Sequence, residues 1–429
     1  GLHYSIDHSL TMEVAYREVG EPRHRLLHRR VAEAMETVYR PQLDSVAGLI
    51  AWHFIEGHAP ERAAPYAFRA GKIAAGLAAW QEAVTFYQQA LTAETNDTQR
   101  VEILTALGEA HSRSGANAQA TEVLRSAIAL AEAHHRPSET LRLNLAQSLL
   151  GQARFAEAIE QARRVLDHGQ PENVARAEAL WGTILSVEGS DLIGAAGHLQ
   201  KAETFLQEHR DQIDLALLNQ VKFDQGSIAA QQGDLAKAIA LYRETLDIAD
   251  EVGGTTTPWQ VLARNNLAYH LNLLGDPTAI GFAREGLKIA QEKGILGFQP
   301  YLLSTLGEIA LSHQDLDSAE KYFNEGLELA ERLAVPERIA GITANLGLVA
   351  KERDDTALAI HHLSTALAKA DALGVQHLAA QIRLWLVPLL PPGEARLHLT
   401  EARAIAETSG RRLLLNEVVR LEQQLGSRS

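Results

Sequence analysis

The chain has 429 residues, 54 of them acidic and 40 basic, for a formal charge of −14. That surplus is a poor electrostatic match for nucleic acid, so direct nucleic-acid binding is set aside. No cysteine is present, which removes disulfides and cysteine-based zinc sites; no apolar run reaches the roughly 18 residues of a membrane span, no secretory signal is visible, and a cytoplasmic location is expected.

Residues 1–42 read as a short strand (His3-Tyr4-Ser5-Ile6), a helix over Ser9 to Val19 and a second helix over Pro22 to Tyr39. Arginines cluster there at Arg23, Arg25, Arg29 and Arg30, and again at Arg163-Arg164 and Arg411-Arg412. Such clusters are expected to be solvated helix faces or helix C-termini.

From residue 43 to 374 one phrase returns about every forty residues. A small residue on one helix is followed twelve positions later by another, then by a large residue four on, then by a small one three further. Gly108, Ala120, Leu124 and Ala127 form the first clear copy. Other copies centre on Gly71, Ala146, Gly182, Gly226, Ala268, Gly307 and Gly347, with successive spacings of 37, 38, 36, 44, 42, 39 and 40. A fixed period in this range marks a stacked array of helix pairs. Each unit carries two stretches of helical apolar periodicity, as in Arg338 to Ala350 and Thr356 to Ala372. Turns are marked by Gly115, Gly189, Gly233-Asp234, Gly275-Asp276-Pro277 and Asp354-Asp355. The small residues should let the two backbones approach, and the large residue should fill the seam between units. The Gly182 unit has one extra residue before Ala195, and the Ala268 unit lacks one before Ala279.

Residues 375–429 read as a degenerate repeat and a cap. Pro388, Pro391 and Pro392 stop the helix that begins near Val375. Helices over about Glu394–Thr408 and Arg411–Leu425 follow, the last with one apolar side (Leu414, Val418, Leu421, Leu425), as an end cap requires.

The repeating small and large positions resemble the tetratricopeptide repeat in its longer, forty-residue form. That resemblance implies an all-α, right-handed superhelical solenoid of antiparallel helix pairs. The N-terminal pattern also resembles a known family. Tyr4-x-Ile6-x-His8-x-Leu10, then Glu13, Ala15 and Tyr16, then Arg25 to Ala34, look like the end of the winged-helix region in bacterial STAND signal-transduction ATPases, relatives of maltose-regulon activators. Gly48 to Gly57 and Ala59 to Gly71 are similar to the first array helices of that family. The resemblance implies a sensor array that follows an ATPase core, and the core is absent from this chain. The alternative is a generic helical cap on a repeat array.

No phosphate-binding glycine loop, His-Glu-x-x-His or Gly-x-Ser-x-Gly occurs, so neither catalysis nor a cofactor is expected. His134-His135 and His361-His362 point to different helix faces, and no metal site is expected. Candidate binding residues lie on the first helix of each unit, which the resemblance places on the concave wall. At three and two positions before, or one after, the small residue, helix geometry gathers one face. That face offers Phe223, Asp224 and Ser227, then Asn265, Asn266, Tyr269 and Asn272, then Ser304, Thr305 and Glu308. Asparagine is a mediocre helix former, yet its amide donates and accepts together, which suits gripping a peptide backbone or polar ligand. Alternatively, these amides bond to neighbouring helices or face water. The chaperone-type carboxylate clamp places lysine three before the small residue; here Phe68, Thr105, Leu143, Ala179, Phe223, Asn265, Ser304 and Ala344 stand there, and none is cationic. The expectation is a sensing array of a STAND-type regulator that takes a protein, peptide or small-molecule inducer. The alternative is a constitutive protein-interaction scaffold.

Overall fold

The computed structural model describes residues 20–77, 79–94, 96–189, 191–208, 214–253, 257–409 and 411–426. The strand and first helix expected before residue 20 lie outside the described residues. Every regular element among the described residues is helical. The chain divides into two compact units, Gly1–Leu180 and Trp181–Ser429.

In the first unit α1 (Glu21–Val38) and α2 (Leu43–Glu56) precede the paired helices α3 (Pro60–Gly76) and α4 (Trp80–Ala93), α5 (Asp97–Arg113) and α6 (Asn117–Ala133), and α7 (Glu139–Leu150) and α8 (Phe155–His168). Helix α9 (Pro171–Glu188) carries the boundary between the units. The second unit continues with α10 (Leu192–Glu208), α11 (Leu215–Gln231), α12 (Leu235–Val252), α13 (Thr257–Leu273), α14 (Ala279–Glu292), α15 (Gln299–Ser312), α16 (Leu316–Arg332), α17 (Pro336–Glu352) and α18 (Thr356–Ala372). Helices α19 (Gln376–Leu386), α20 (Pro392–Ser409) and α21 (Arg412–Gly426) close it. Prolines stand in the first turn of α15 and α17, where the missing N–H is no loss. Asp234, Asp315 and Asp355 cap α12, α16 and α18 by accepting backbone N–H groups. The residue before each cap has positive φ: Gly233 at 84°, but Gln314 at 61° and Asp354 at 62°.

The small residue of each first helix is a notch for a side chain. A Cβ on Gly307 would stand 2.4 Å from the Phe323 ring, one on Gly226 2.9 Å from Tyr242, and one on Gly108 2.6 Å from Leu124. The large residue therefore fills the notch of its own pair, whereas the sequence spacing had assigned it to the seam between units. The seam falls to the last small residue of the phrase: a Cβ on Gly286 would press Leu302 of the next unit, and one on Gly326 would press Ile342. Phe323, Leu124, Leu199 and Leu363 are fully buried, each burial stabilising by about 1.5–3 kcal/mol. The apolar core is a series of local clusters, each shared by neighbouring helices, as expected when a unit touches only its neighbours.

Candidate functional site

First helices of successive pairs touch one another, α11 to α13, α13 to α15, α15 to α17 and α17 to α19. Second helices pack against the flanking first helices instead. In the second unit the odd-numbered helices thus form the inner, converging wall, where the sequence-derived candidates stand.

The structure brings these candidates together and closes many of them on each other, from one unit to the next. Thr183 Oγ1 donates to Asp224 Oδ2 at 2.6 Å, and Thr305 Oγ1 donates to Asn265 Oδ1 at 2.9 Å. Ser312 Oγ donates to Asn272 Oδ1 at 2.8 Å. Asn345 Nδ2 donates to Ser304 Oγ at 3.2 Å and to Glu308 Oε1 at 2.9 Å, and Ser304 Oγ also donates to Glu308. Partners in this ladder stand 37 to 41 residues apart, about one repeat, except for the bond within α15. Asn265 is buried, and its Nδ2 donates to Asn266. Its amide is therefore engaged at both ends.

Tyr269 remains turned to solvent: it is 39% exposed, and its hydroxyl has no hydrogen-bond partner among the described residues. Its base is walled by protein, and that burial together with nearby Glu308 raises the phenol pKa. Phe223 packs on Tyr242 and Trp259, with ring centroids 5.5 and 5.2 Å away. Ser227 accepts from the Tyr242 hydroxyl at 3.3 Å. Burial pushes the Asp224 carboxyl up to about 6, against the bonds from Thr183 and Gln220. Burial likewise raises Glu308, opposed by Asn345, Ser304 and the Arg338 charge. Burial thus raises both carboxyls on this wall, which marks it as a candidate functional site.

Several inner-wall residues were not among the sequence candidates. Trp181 stacks on His198 at 4.4 Å, and Arg338 lies over the Tyr301 ring at 4.1 Å. Arg338 stands nine positions before Gly347, a row outside those counted, although the repeat register marks it. Arg411, expected on a solvated face or helix end, instead lies recessed ahead of α21, where burial lowers its guanidinium pKa. Among the described residues, no group of three or more histidines, cysteines or carboxylates is placed to hold a metal, and no helix is long and apolar enough to cross a membrane.

The tetratricopeptide repeat family matches residues 217–292. No curated protein matches the chain. Among solved structures, a Signal Transduction ATPase with Numerous Domains (STAND) protein with a tetratricopeptide repeat sensor, from Pyrococcus horikoshii, is similar with a TM-score of 0.57 and 11% identity, over 97% of this chain and 68% of that one. A Rap protein complexed with Competence and Sporulation Factor is similar with a TM-score of 0.52 and 11% identity, over 77% of this chain and all of that one. The apo form of RapI is similar with a TM-score of 0.50 and 12% identity, over 63% of this chain and 98% of that one. At such identities the likeness concerns the fold. Repeat register, helix pairing and these comparisons agree on the fold: the chain is an all-α solenoid of tetratricopeptide-repeat-like helix pairs, similar in fold to a STAND protein with a tetratricopeptide repeat sensor.

Proposed function

We propose that the chain is the sensing domain of a STAND-type regulatory ATPase, and that the inner wall of residues 181–429 holds its inducer, a protein, peptide or small molecule. The observation that carries this reading is the wall itself. It carries the exposed Tyr269 near Glu308, together with the recessed Asp224 and the Phe223–Trp259 aromatic pair. Polar groups held this way cost desolvation that an array serving only as a spacer would avoid. The similar Rap structure, solved with Competence and Sporulation Factor, supports a peptide or protein as the ligand class. For occupancy to act as a signal, the ligand must favour one conformation of the parent protein over another.

The test is capture from host extract on immobilised chain, with Tyr269→Ala/Phe223→Ala as the comparison and ATP turnover of the full-length parent as the second readout. A ligand retained by the parent sequence alone that changes ATP turnover supports sensing. Retention by both chains overturns the wall as the site. Selective retention with unaltered turnover favours the constitutive scaffold.

A further inference from the structure

The recessed cations of residues 181–429 fall into two groups. Lys222 is held between Glu203 and Glu244, each at 2.8 Å. Arg264 meets Glu285 at 3.2 Å, and Arg383 meets Asp371 at 3.0 Å and Glu401 at 2.6 Å. These have their carboxylates, as a chain with 54 acidic residues readily provides. Arg338 and Arg411 do not. Arg338 Nε is buried without a hydrogen-bond partner, and its guanidinium lies on the Tyr301 ring. The carboxylate nearest in charge, Glu308, is engaged by Asn345 and Ser304. The Arg411 side chain has neither a hydrogen bond nor an ion pair among the described residues.

The fold brings the two together. Helix α19 packs against both α17, which carries Arg338 in its first turn, and α21, which Arg411 precedes. His377 stands in the first turn of α19, and both guanidinium charges act on it. The side chains of Arg412 and Leu413 reach back to 3.7 and 3.6 Å from where a Gly233 Cβ would stand, and Arg411 Nη2 to 3.7 Å from that of Gly189. These are ordinary van der Waals distances; glycine at both turns answers the positive φ, 75° at Gly189 and 84° at Gly233.

A guanidinium withdrawn from water without a direct ion pair is costly, and such charges are normally paired. Its planar fork matches an oxyanion in two-point fashion. We propose that Arg338, His377 and Arg411 form an oxyanion-binding site at the C-terminal end of the inner wall, for a carboxylate or phosphate group. His377 supplies a third polar contact, and Tyr301 fixes the plane of the Arg338 fork. This is a different anion site from the lysine clamp that the sequence argues against, because its cations come from another row and from the cap. The biological ligand rests on the sensing proposal above; capture of an oxyanion does not.

The experiment is therefore made with simple salts. Calorimetric titration and thermal melting with inorganic phosphate and with acetate, against chloride at equal ionic strength, are run on the full chain and on Arg338→Gln, Arg411→Gln and Arg353→Gln. Arg353 is satisfied by Asp317 and Glu320 and serves as the control. Phosphate or acetate should bind the parent sequence and raise its melting beyond chloride, and each of Arg338→Gln and Arg411→Gln should weaken binding about tenfold or more. The control should bind as the parent does. Binding of phosphate alone identifies a phosphorylated ligand, and binding of acetate identifies a carboxylate. In the absence of either salt, Arg411→Gln should melt at or above the parent temperature, since it removes an uncompensated charge; a structural arginine would do the opposite. Equal responses to all three salts, or equal binding by the parent and both variants, overturns the site. Failure of inducer capture with oxyanion binding intact would instead count against the sensing proposal alone.

Discussion

Asn144 and Asn345 hold the same place in the repeat, two residues before the small position, in different units of the molecule. The Asn144 side chain has no hydrogen-bond partner among the described residues, whereas Asn345 donates to Ser304 and Glu308. The contrast extends to the units as wholes. Before Leu180 the described residues bury three polar side chains, His28, Thr121 and Ser148; after it they bury thirteen. The notch packing is common to both units, as Gly108 on Leu124 and Gly307 on Phe323 show. One scaffold therefore serves twice, and only the second unit has been given a recessed polar wall.

The largest expected effect tests what the two units share. Gly307→Leu must displace the Phe323 ring and should destabilise by roughly 3 kcal/mol or more in denaturant titrations. Gly108→Leu should do the same in the first unit, and melting like the parent in either case would break the shared register. The asymmetry comes next. Asn345→Ala leaves Glu308 and Ser304 short of a donor and should cost about 1–3 kcal/mol, while Asn144→Ala should stay within about 0.5 kcal/mol. Equal costs would erase the distinction between the units.

A pH experiment sharpens it further. Asp224 titrates at about 6 when folded, above its ordinary 3.8, so the folded state binds this proton more tightly than the unfolded one. Its contribution to stability is least favourable above pH 6 and improves as pH falls through 6 toward 4. Buried His270 runs the other way. It is held down to about 4 from 6.5, so its contribution is complete above 6.5 and is lost as pH falls toward 4. The two oppose each other in one window. Asp224→Asn should raise stability at pH 8 by about 1–2 kcal/mol and steepen the loss between pH 6 and 4; an unchanged profile would show that Asp224 titrates normally. Smaller again is Gly341→Ala. A Cβ there meets nothing within 4 Å, and the helix should gain about 0.5–1 kcal/mol. Tyr269→Ala should barely move the melting temperature while reducing ligand capture, which separates this exposed ring from the ladder beneath it.

Much of the fold was legible in the chain. Helices α17 and α18 lie within two residues of their expected limits, and the turns at Gly115, Gly233 and Asp354 are where the breakers stood. The candidate site was legible in part. The register put Asn265, Asn266, Tyr269, Ser304 and Glu308 on first helices, which the structure sets side by side. It did not tell an amide closed on the next helix, as at Asn265, from a group left open, as at Tyr269. Periodicity reports the face a residue occupies; hydrogen bonding depends on what the next unit presents, and that requires the helix crossing to be known.

The sequence by itself determined the repeat, the helix pairs and the small–large code, because backbone propensity and apolar spacing act over a few residues and recur forty residues later. The tertiary structure alone decided which large residue fills which notch, which polar groups satisfy one another, and that Arg411 of the cap returns toward Arg338 and His377. Those relations join residues from 16 to 73 positions apart, and they depend on how helices cross within and between pairs, which no local pattern encodes.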